Sequence, residues 1–147
     1  MDLSPHFTLA ELTTTSTGLN NSPNAAETEV LRTLAAFLEK VRAILGNRTM
    51  TVNSAFRSKA VNDAVGGVDN SAHRLGYACD FVCPSFGSPY DICMAIDAAE
   101  KAGKIKFDQL IQEGTWVHIS RDPKLRGQRL TLAPGGTYLD GIRRSAG

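Results

Sequence analysis

Residues 107–120 read FDQLIQEGTWVHIS, a stretch with the pattern of a β-hairpin. Two short runs that contain apolar and β-branched residues lie on either side of Gly114-Thr115. Glycine at the first position of a two-residue loop suits a type II′ turn, whose twist matches that of the flanking strands. The turn also fixes the register, so that Ile111 lies opposite His118. The stretch therefore predicts two antiparallel strands.

Patterns on the N-terminal side of this hairpin predict mainly helices. Apolar residues recur at three- and four-residue spacing from Val30 to Leu45, and Gly46 ends that helix. Thr8, with Glu11 three residues later, predicts a capping box. The other predicted elements are strands over 49–54, 77–82, 107–112, 116–120 and 129–132, a helix over 58–65 and a helix from 88 to a stop at 103. We predict one α+β domain over 1–147, with N-terminal helices packed on a small, mostly antiparallel sheet.

Charge and hydropathy exclude two classes of partner. The 147 residues carry 16 basic and 15 acidic side chains, a formal net charge of +1, which gives no electrostatic footprint for nucleic acid. No apolar run approaches the roughly 20 residues needed to span a bilayer, so no integral membrane segment is expected. Residues 1–12 lack the regions of a signal peptide, and we expect synthesis in a bacterial cytoplasm. We also expect a monomer.

Two of the three histidines occur in a pattern typical of a catalytic metal site. His73 lies in a predicted polar loop, Asp80 follows seven residues later on a predicted strand, and His118 lies in the hairpin. Catalytic zinc sites use three protein ligands, with imidazole nitrogen and carboxylate oxygen among the accepted donors, and keep a fourth position open. Each residue alone has an ordinary structural explanation, but together they predict a Zn²⁺ site. Mn, Co and Ni accept the same donors, so the ion stays open.

The hairpin register places a carboxylate beside this site. Side chains alternate between the faces of a strand, so Glu113 and His118 share one face. They are diagonal neighbours, with Cα atoms on the order of 7–8 Å apart. From there a carboxylate reaches metal-bound water without binding the metal, and we predict that Glu113 is the catalytic base. Gln109 and Trp116 lie on the same face, and we predict that they contact the substrate.

The three cysteines, Cys79, Cys83 and Cys93, are predicted to be reduced and mostly buried. An odd number of thiols without an export signal argues against a disulfide framework. Cys79 and Cys83 lack a second Cys/His pair at zinc-finger spacing. Strand alternation also turns Cys79 away from the face of Asp80. We therefore assign no cysteine to the metal.

The combined motif resembles the zinc D-alanyl-D-alanine carboxypeptidases and their relatives. These relatives are the vancomycin-resistance D,D-dipeptidases and the phage L-alanyl-D-glutamate endopeptidases, which share a fold with hedgehog signalling domains. The family signature is Ser-x-His, an aspartate seven residues after that histidine, and Trp-x-His. This chain has Ser71-Ala72-His73, Asp80 and Trp116-Val117-His118. The segment VNSAFRS, residues 52–58, resembles the part that carries the family's arginine, and the whole resemblance covers roughly residues 7–120.

The resemblance implies a role for each matching residue. By position, His73, Asp80 and His118 would bind zinc. Arg57 would contact the substrate carbonyl or carboxylate and steady the developing oxyanion, since a guanidinium offers fixed paired donors. Ser71 would line the substrate subsite.

The resemblance leaves two points open. Some relatives place a glutamate three residues before the last histidine, where this chain has Thr115, and others place their catalytic group five residues before it, at Glu113. The implied reaction is hydrolysis in the peptidoglycan stem peptide, either at D-Ala–D-Ala or at L-Ala–D-Glu, by a phage or prophage endolysin that reaches the wall after membrane breach. The rival hypothesis is a non-catalytic, zinc-stabilised wall-binding module of a phage tail.

Overall fold

The computed structural model describes residues 1–121 and 123–144, which form an α+β fold as predicted. Many of its elements lie within a few residues of the predicted bounds. In chain order they are β1 (Asp2–Ser4), β2 (Phe7–Thr8), α1 (Leu9–Leu12), α2 (Ala25–Ile44), β3 (Thr51–Ser54), α3 (Lys59–Ala64), α4 (Ala72–Leu75), β4 (Ala78–Val82), α5 (Pro89–Lys101), β5 (Gln109–Gln112), β6 (Val117–Ser120), β7 (Gln128–Leu132) and β8 (Tyr138–Asp140).

A sheet with the strand order β3-β4-β6-β5-β7-β8 forms the centre of the fold. Its neighbouring strands are antiparallel, except that β5 and β7 run parallel. The predicted register of the hairpin is confirmed, because Ile111 pairs with His118. Gly114 has φ +92°, which glycine adopts without the strain that a side chain would add. The turn chemistry therefore decides which face of the sheet each hairpin residue occupies.

The hydrophobic core joins one face of the sheet to the two long helices. Buried residues of α2 and α5 pack in one cluster with side chains of the central strands. The members include Leu31, Leu34, Leu38, Ile92 and Ile96 from the helices and Cys79, Phe81, Val117 and Ile119 from the sheet. Alternation along β4 and β6 then leaves Asp80 and His118 on the opposite face. The helices thus pack on one face of the sheet and leave the face that carries Asp80 and His118 uncovered by α2 and α5.

Polar caps set where the helices begin. Thr8 and Glu11 form the predicted capping box at α1. A second box begins α5, where Ser88 accepts a hydrogen bond from the backbone of Asp91 and Pro89 occupies the first turn.

In residues 1–121 and 123–144, no helix combines the length and apolar character that crossing a membrane requires.

The structure corrects the prediction of a polar loop at His73. Residues Ala72–Leu75 form a single helical turn, α4. Ser71 caps its start by accepting a hydrogen bond from the backbone of His73, and Gly76 ends it in the left-handed conformation at φ +82°. One turn is too short for apolar periodicity to reveal it. The short strands β1, β2 and β8 were missed for the same reason.

The prediction of buried, unpaired thiols is confirmed. Cys79, Cys83 and Cys93 are free and buried. Burial, with the nearby charge of Asp97, raises the pKa of Cys93 to about 12. Thiols with raised pKa values in the core are poor metal ligands and poor nucleophiles.

Candidate metal centre

Three side chains meet on the open face of the sheet. His73 comes from α4, Asp80 from β4 and His118 from β6. One ligand-type atom from each lies within 4.8 Å of the other two. Nδ1 of His118 lies 2.9 Å from Oδ1 of Asp80, and Nε2 of His73 lies 3.2 Å from the same oxygen. The structure thus brings together the three residues that the sequence predicts as ligands.

A backbone carbonyl orients the ring of His73. Its Nδ1 lies 2.8 Å from the carbonyl oxygen of Ala55, which can only accept, so Nδ1 carries the proton. In a neutral ring, Nε2 then holds a lone pair that faces the Asp80 carboxylate. Two acceptors at that distance repel each other unless a cation, either a proton or a metal ion, lies between them. The arrangement therefore calls for a cation.

The His118 ring also lacks a complete set of partners. Its Nδ1 faces Asp80, and its Nε2 is buried with no hydrogen-bond partner among the described residues. The three side chains are only 6%, 15% and 13% exposed, for His73, Asp80 and His118 in turn. Buried polar atoms with missing partners are uncommon in folded proteins and are often explained by an ion or a water molecule.

The charge and spacing of the three groups fit zinc. Burial alone would raise the pKa of the Asp80 carboxyl, but its interactions with the imidazoles of His118 and His73 outweigh burial and hold that pKa below its usual range. A charged carboxylate with two imidazoles is a donor set typical of zinc. Tetrahedral ligands about 2.0–2.2 Å from zinc lie about 3.3–3.6 Å apart. The observed separations of 2.9 and 3.2 Å come close to this spacing.

The three groups line a cleft of about 390 Å³. Its other walls combine the polar side chains Arg57, Gln109, Glu113 and Tyr138 with the apolar side chains Ile111, Trp116 and Leu130. The shared hairpin face predicted from alternation therefore lies in the cleft. Ser71 caps α4 and is not among the residues that line the cleft, so its contact with a substrate stays a prediction.

Glu113 is half-buried in this cleft. The Tyr138 hydroxyl lies 3.1 Å from both carboxylate oxygens of Glu113. Burial raises the pKa of Glu113 above its ordinary value, although the hydrogen bond from Tyr138 lowers it. A carboxyl with a raised pKa is suited to accept and later release a proton near neutral pH.

Tyr138 was not predicted from the sequence, although a signal for its strand exists. Gly135-Gly136 separates two short runs that contain apolar residues, a pattern that indicates a hairpin. That pattern identifies β7 and β8 as a pair, but it does not show that the tyrosine reaches Glu113. The contact of the Ala55 carbonyl with His73 could not be predicted from the sequence, because every residue carries a backbone carbonyl.

Arg57 presents a cation to the same cleft. Its guanidinium is half-buried and makes no hydrogen bond or ion pair with the residues that the structure describes. Burial lowers the pKa of this group, while the charge of Asp80 raises it. A guanidinium nevertheless stays protonated in proteins. Its fork is therefore free to bind an anionic group or a carbonyl oxygen.

Comparison with known proteins gives two matches. A sequence model of the peptidase M15 family matches residues 5–120. The zinc D-Ala-D-Ala carboxypeptidase of Streptomyces albus G is 33% identical over 111 residues, which make up 74% of this chain and 41% of that protein. The chain therefore spans about two fifths of the length of this relative. The matched segment contains all three candidate ligands and ends before β7 and β8.

Proposed function

This chain belongs to the peptidase M15 family, and from that premise we propose that it is a zinc peptidase that cleaves the stem peptide of peptidoglycan. We assign the metal to His73, Asp80 and His118. The observation that carries this assignment is the contact between Nε2 of His73 and Oδ1 of Asp80, two acceptors 3.2 Å apart that require a cation.

Zinc, when bound, supplies a Lewis acid that polarises the scissile carbonyl and lowers the pKa of a water molecule. Glu113 is the general base. Its carboxylate takes a proton from the attacking water and passes it to the nitrogen of the leaving amine. The same residue therefore serves first as base and then as acid, and it ends the reaction unprotonated. The raised pKa of Glu113 supports both halves of this transfer. Thr115, the alternative position, lies in the hairpin turn and is exposed.

Arg57 holds the substrate. Its unpartnered guanidinium suits a carboxylate or the developing oxyanion, because an arginine fork donates two parallel hydrogen bonds. Gln109 and Trp116 extend the binding surface along the hairpin. Trp116 supplies an aromatic surface, and Gln109 is held by a 2.8 Å hydrogen bond from its Nε2 to Oε1 of Gln128.

We further propose that the bond cleaved is D-Ala–D-Ala, at the carboxyl end of the stem. A terminal D-alanine carries a free carboxylate, for which the Arg57 guanidinium is a fitting partner. The Streptomyces relative bears the name of this activity. Cleavage at L-Ala–D-Glu is the alternative, and the products distinguish the two.

Mass spectrometry of digested peptidoglycan tests the proposal. Zinc-loaded protein is incubated with purified wall and with synthetic pentapeptide stem. We expect release of free D-alanine and a stem shortened by one residue. A new amino terminus on D-glutamate would move the assignment to the endopeptidase reaction. No release from any wall or peptide, with zinc content verified, would reject the enzyme hypothesis.

A Glu113→Ala variant is the matched control for that digestion. It is expected to bind zinc and to lose about 10²–10⁴-fold in kcat, the usual contribution of a positioned general base. Cleavage of the stem peptide at the parental rate by this variant would show that Glu113 is not the base.

We also propose that the enzyme is a phage or prophage endolysin that acts as a monomer. The test is expression in a bacterial cytoplasm with and without a membrane-permeabilising protein. Stem peptides that are cleaved only after permeabilisation, as seen by mass spectrometry of the extracted wall, would support the proposal. Lysis would accompany cleavage at L-Ala–D-Glu, which detaches stems from the glycan, but not removal of a terminal D-alanine. Uncleaved stem peptides after permeabilisation would contradict the proposal. Gel filtration with light scattering gives the oligomeric state.

A further inference from the structure

Tyr138 lies outside the segment that matches the peptidase family, yet it lines the cleft that holds the candidate metal ligands. The matched segment ends at residue 120, and Tyr138 opens strand β8. Its hydroxyl lies 3.1 Å from each carboxylate oxygen of Glu113. Because a carboxylate can only accept, the tyrosine donates the hydrogen bond.

The β7–β8 hairpin is anchored on both sides of this contact. Strand β7 pairs in parallel with β5, the strand that leads into Glu113. Gln112, immediately before Glu113, is buried and donates from Nε2 to the carbonyl of Arg143, at 3.2 Å. The buried Thr131 hydroxyl donates to the carbonyl of Gly141 at 2.8 Å and accepts from the backbone nitrogen of Arg143 at 2.9 Å. The backbones that carry Tyr138 and Glu113 are therefore held relative to each other.

Fold stability does not account for this contact. The Tyr138 side chain is one of the exposed large side chains, with 47% of its surface open to solvent. A hydrogen bond at such a site contributes little to folding, since water replaces it readily. Burial and the neighbouring Glu113 charge raise the pKa of Tyr138 to about 12, so the hydroxyl stays protonated and remains a donor. The contact is therefore explained by a role in orienting the Glu113 carboxylate rather than by a role in folding.

We propose that Tyr138 is a positioning residue that holds the Glu113 carboxylate in the orientation from which it exchanges protons with the attacking water and the leaving amine. This inference rests on the function proposed above. Tyr138 keeps its own proton throughout, and the transferred proton moves only from water to Glu113 and then to the amine nitrogen. A misdirected base slows the chemical step and leaves substrate binding intact, because the binding groups lie elsewhere in the cleft.

The test uses four zinc-loaded proteins: the parent, Tyr138→Phe, Glu113→Ala and the double variant. Tyr138→Phe removes one oxygen and keeps the ring. With stem pentapeptide we expect its kcat to fall about 10- to 100-fold, the range for a lost hydrogen bond to a charged group. KM should stay within about twofold, since uniform substrate binding is unchanged. In the Glu113→Ala background, Tyr138→Phe should cause no further loss of rate.

Tyr90→Phe is the matched control, because it removes the same atom from a half-buried tyrosine on α5 whose ring packs on Arg144. It should keep the parental kcat. Parental kcat in Tyr138→Phe, or a full additional loss in the double variant, would overturn the positioning role while the peptidase function stands.

A second readout separates the two proposals. An NMR titration of the Glu113 carboxyl in the parent and in Tyr138→Phe needs no catalysis. We expect the substitution to raise the pKa of Glu113, because the hydrogen bond from Tyr138 lowers it. An unchanged pKa would overturn the contact itself, whatever the activity. If the parent cleaves no stem peptide but the pKa of Glu113 rises in the variant, the proposed function fails, and the catalytic role of the pair fails with it although the contact is real.

Discussion

Asp80 and His118 are direct partners in the register of β4 and β6, and Oδ1 of Asp80 lies 2.9 Å from Nδ1 of His118. Directly opposed residues on antiparallel strands have Cβ atoms about 4.5–5.5 Å apart, so the backbone ladder alone keeps these two groups together. His73 is held separately, by the carbonyl of Ala55. The three groups are thus positioned by the fold, and the core lies on the other face of the sheet.

Removal of zinc should therefore leave a folded but inactive protein. The far-ultraviolet circular dichroism spectrum of the chelated protein should match that of the zinc-loaded form. Zinc at about 100 times its Kd should add about 2.7 kcal/mol to the free energy of unfolding, because it binds only the folded state. Activity should return when zinc is added back.

The rival hypothesis of a structural zinc predicts the opposite result. A metal that holds the fold together should take the secondary structure with it when it is chelated. Cooperative loss of the circular dichroism signal at the chelator concentration that removes zinc would favour a zinc-stabilised wall-binding module over an enzyme.

Asp80→Asn should abolish tight zinc binding without unfolding the protein. The amide has nearly the shape of the carboxylate but carries no charge. Loss of a residue that only orients a ligand lowers metal affinity about 10- to 100-fold, so loss of the ligand itself should lower it at least about 100-fold. Competition with a chromogenic chelator measures the affinity. Asp63→Asn, an exposed partner of Lys59, is the matched control and should bind zinc as the parent does.

Local sequence signals were sufficient to predict the hairpin, its register and the face that lines the cleft. The reason is that the turn at Gly114 fixes the pairing, and alternation then assigns every side chain of the two strands. The long helix α2, the capping box of α1 and the start of α5 at residue 88 were predicted for a similar reason, since a few neighbouring residues determine them.

Contacts between distant segments could not be predicted in this way. The hydroxyl of Tyr138 meets Glu113 from 25 residues away, and the Ala55 carbonyl meets His73 across 18 residues. Neither contact leaves a periodic or spaced pattern. The helix α4, only four residues long, is stabilised by its cap and its tertiary contacts more than by intrinsic propensity.

Glu27 and Arg74 join α2 to α4, the turn that carries His73, and the stability of this link should depend on pH. Nη1 of Arg74 lies 2.7 Å from Oε2 of Glu27. Burial would raise the pKa of Glu27, but hydrogen bonds from Arg74 and the Asn24 backbone lower it overall. A depressed pKa in the folded state contributes stability above the unfolded value of about 4.3, and the contribution disappears as the pH falls through the folded-state pKa.

Glu27→Gln should consequently lower the free energy of unfolding by about 0.5–1 kcal/mol at pH 7, as for a partly exposed ion pair. The difference from the parent should shrink below about pH 4.3. Urea unfolding from pH 3 to 7 measures both. Glu29→Gln, whose side chain is 73% exposed, is the matched control and should change stability little at any pH. A pH-independent difference for Glu27→Gln would mean that packing, and not charge, accounts for its effect.

Replacement of Arg57 should separate charge from geometry in substrate binding. The guanidinium lines the cleft without a hydrogen bond or ion pair to any residue within 1–121 and 123–144, so its removal breaks no direct polar contact among them. Arg57→Lys keeps the charge and loses the fork, whereas Arg57→Ala loses both. We expect kcat/KM to fall about 10-fold in the lysine variant and about 100-fold or more in the alanine variant, because hydrogen bonds to charged groups each contribute about 1.5–3 kcal/mol. Arg32→Ala, on the exposed side of α2, should keep the parental value. Equal losses for lysine and alanine would show that paired donors decide binding, and full activity in both would remove Arg57 from the site.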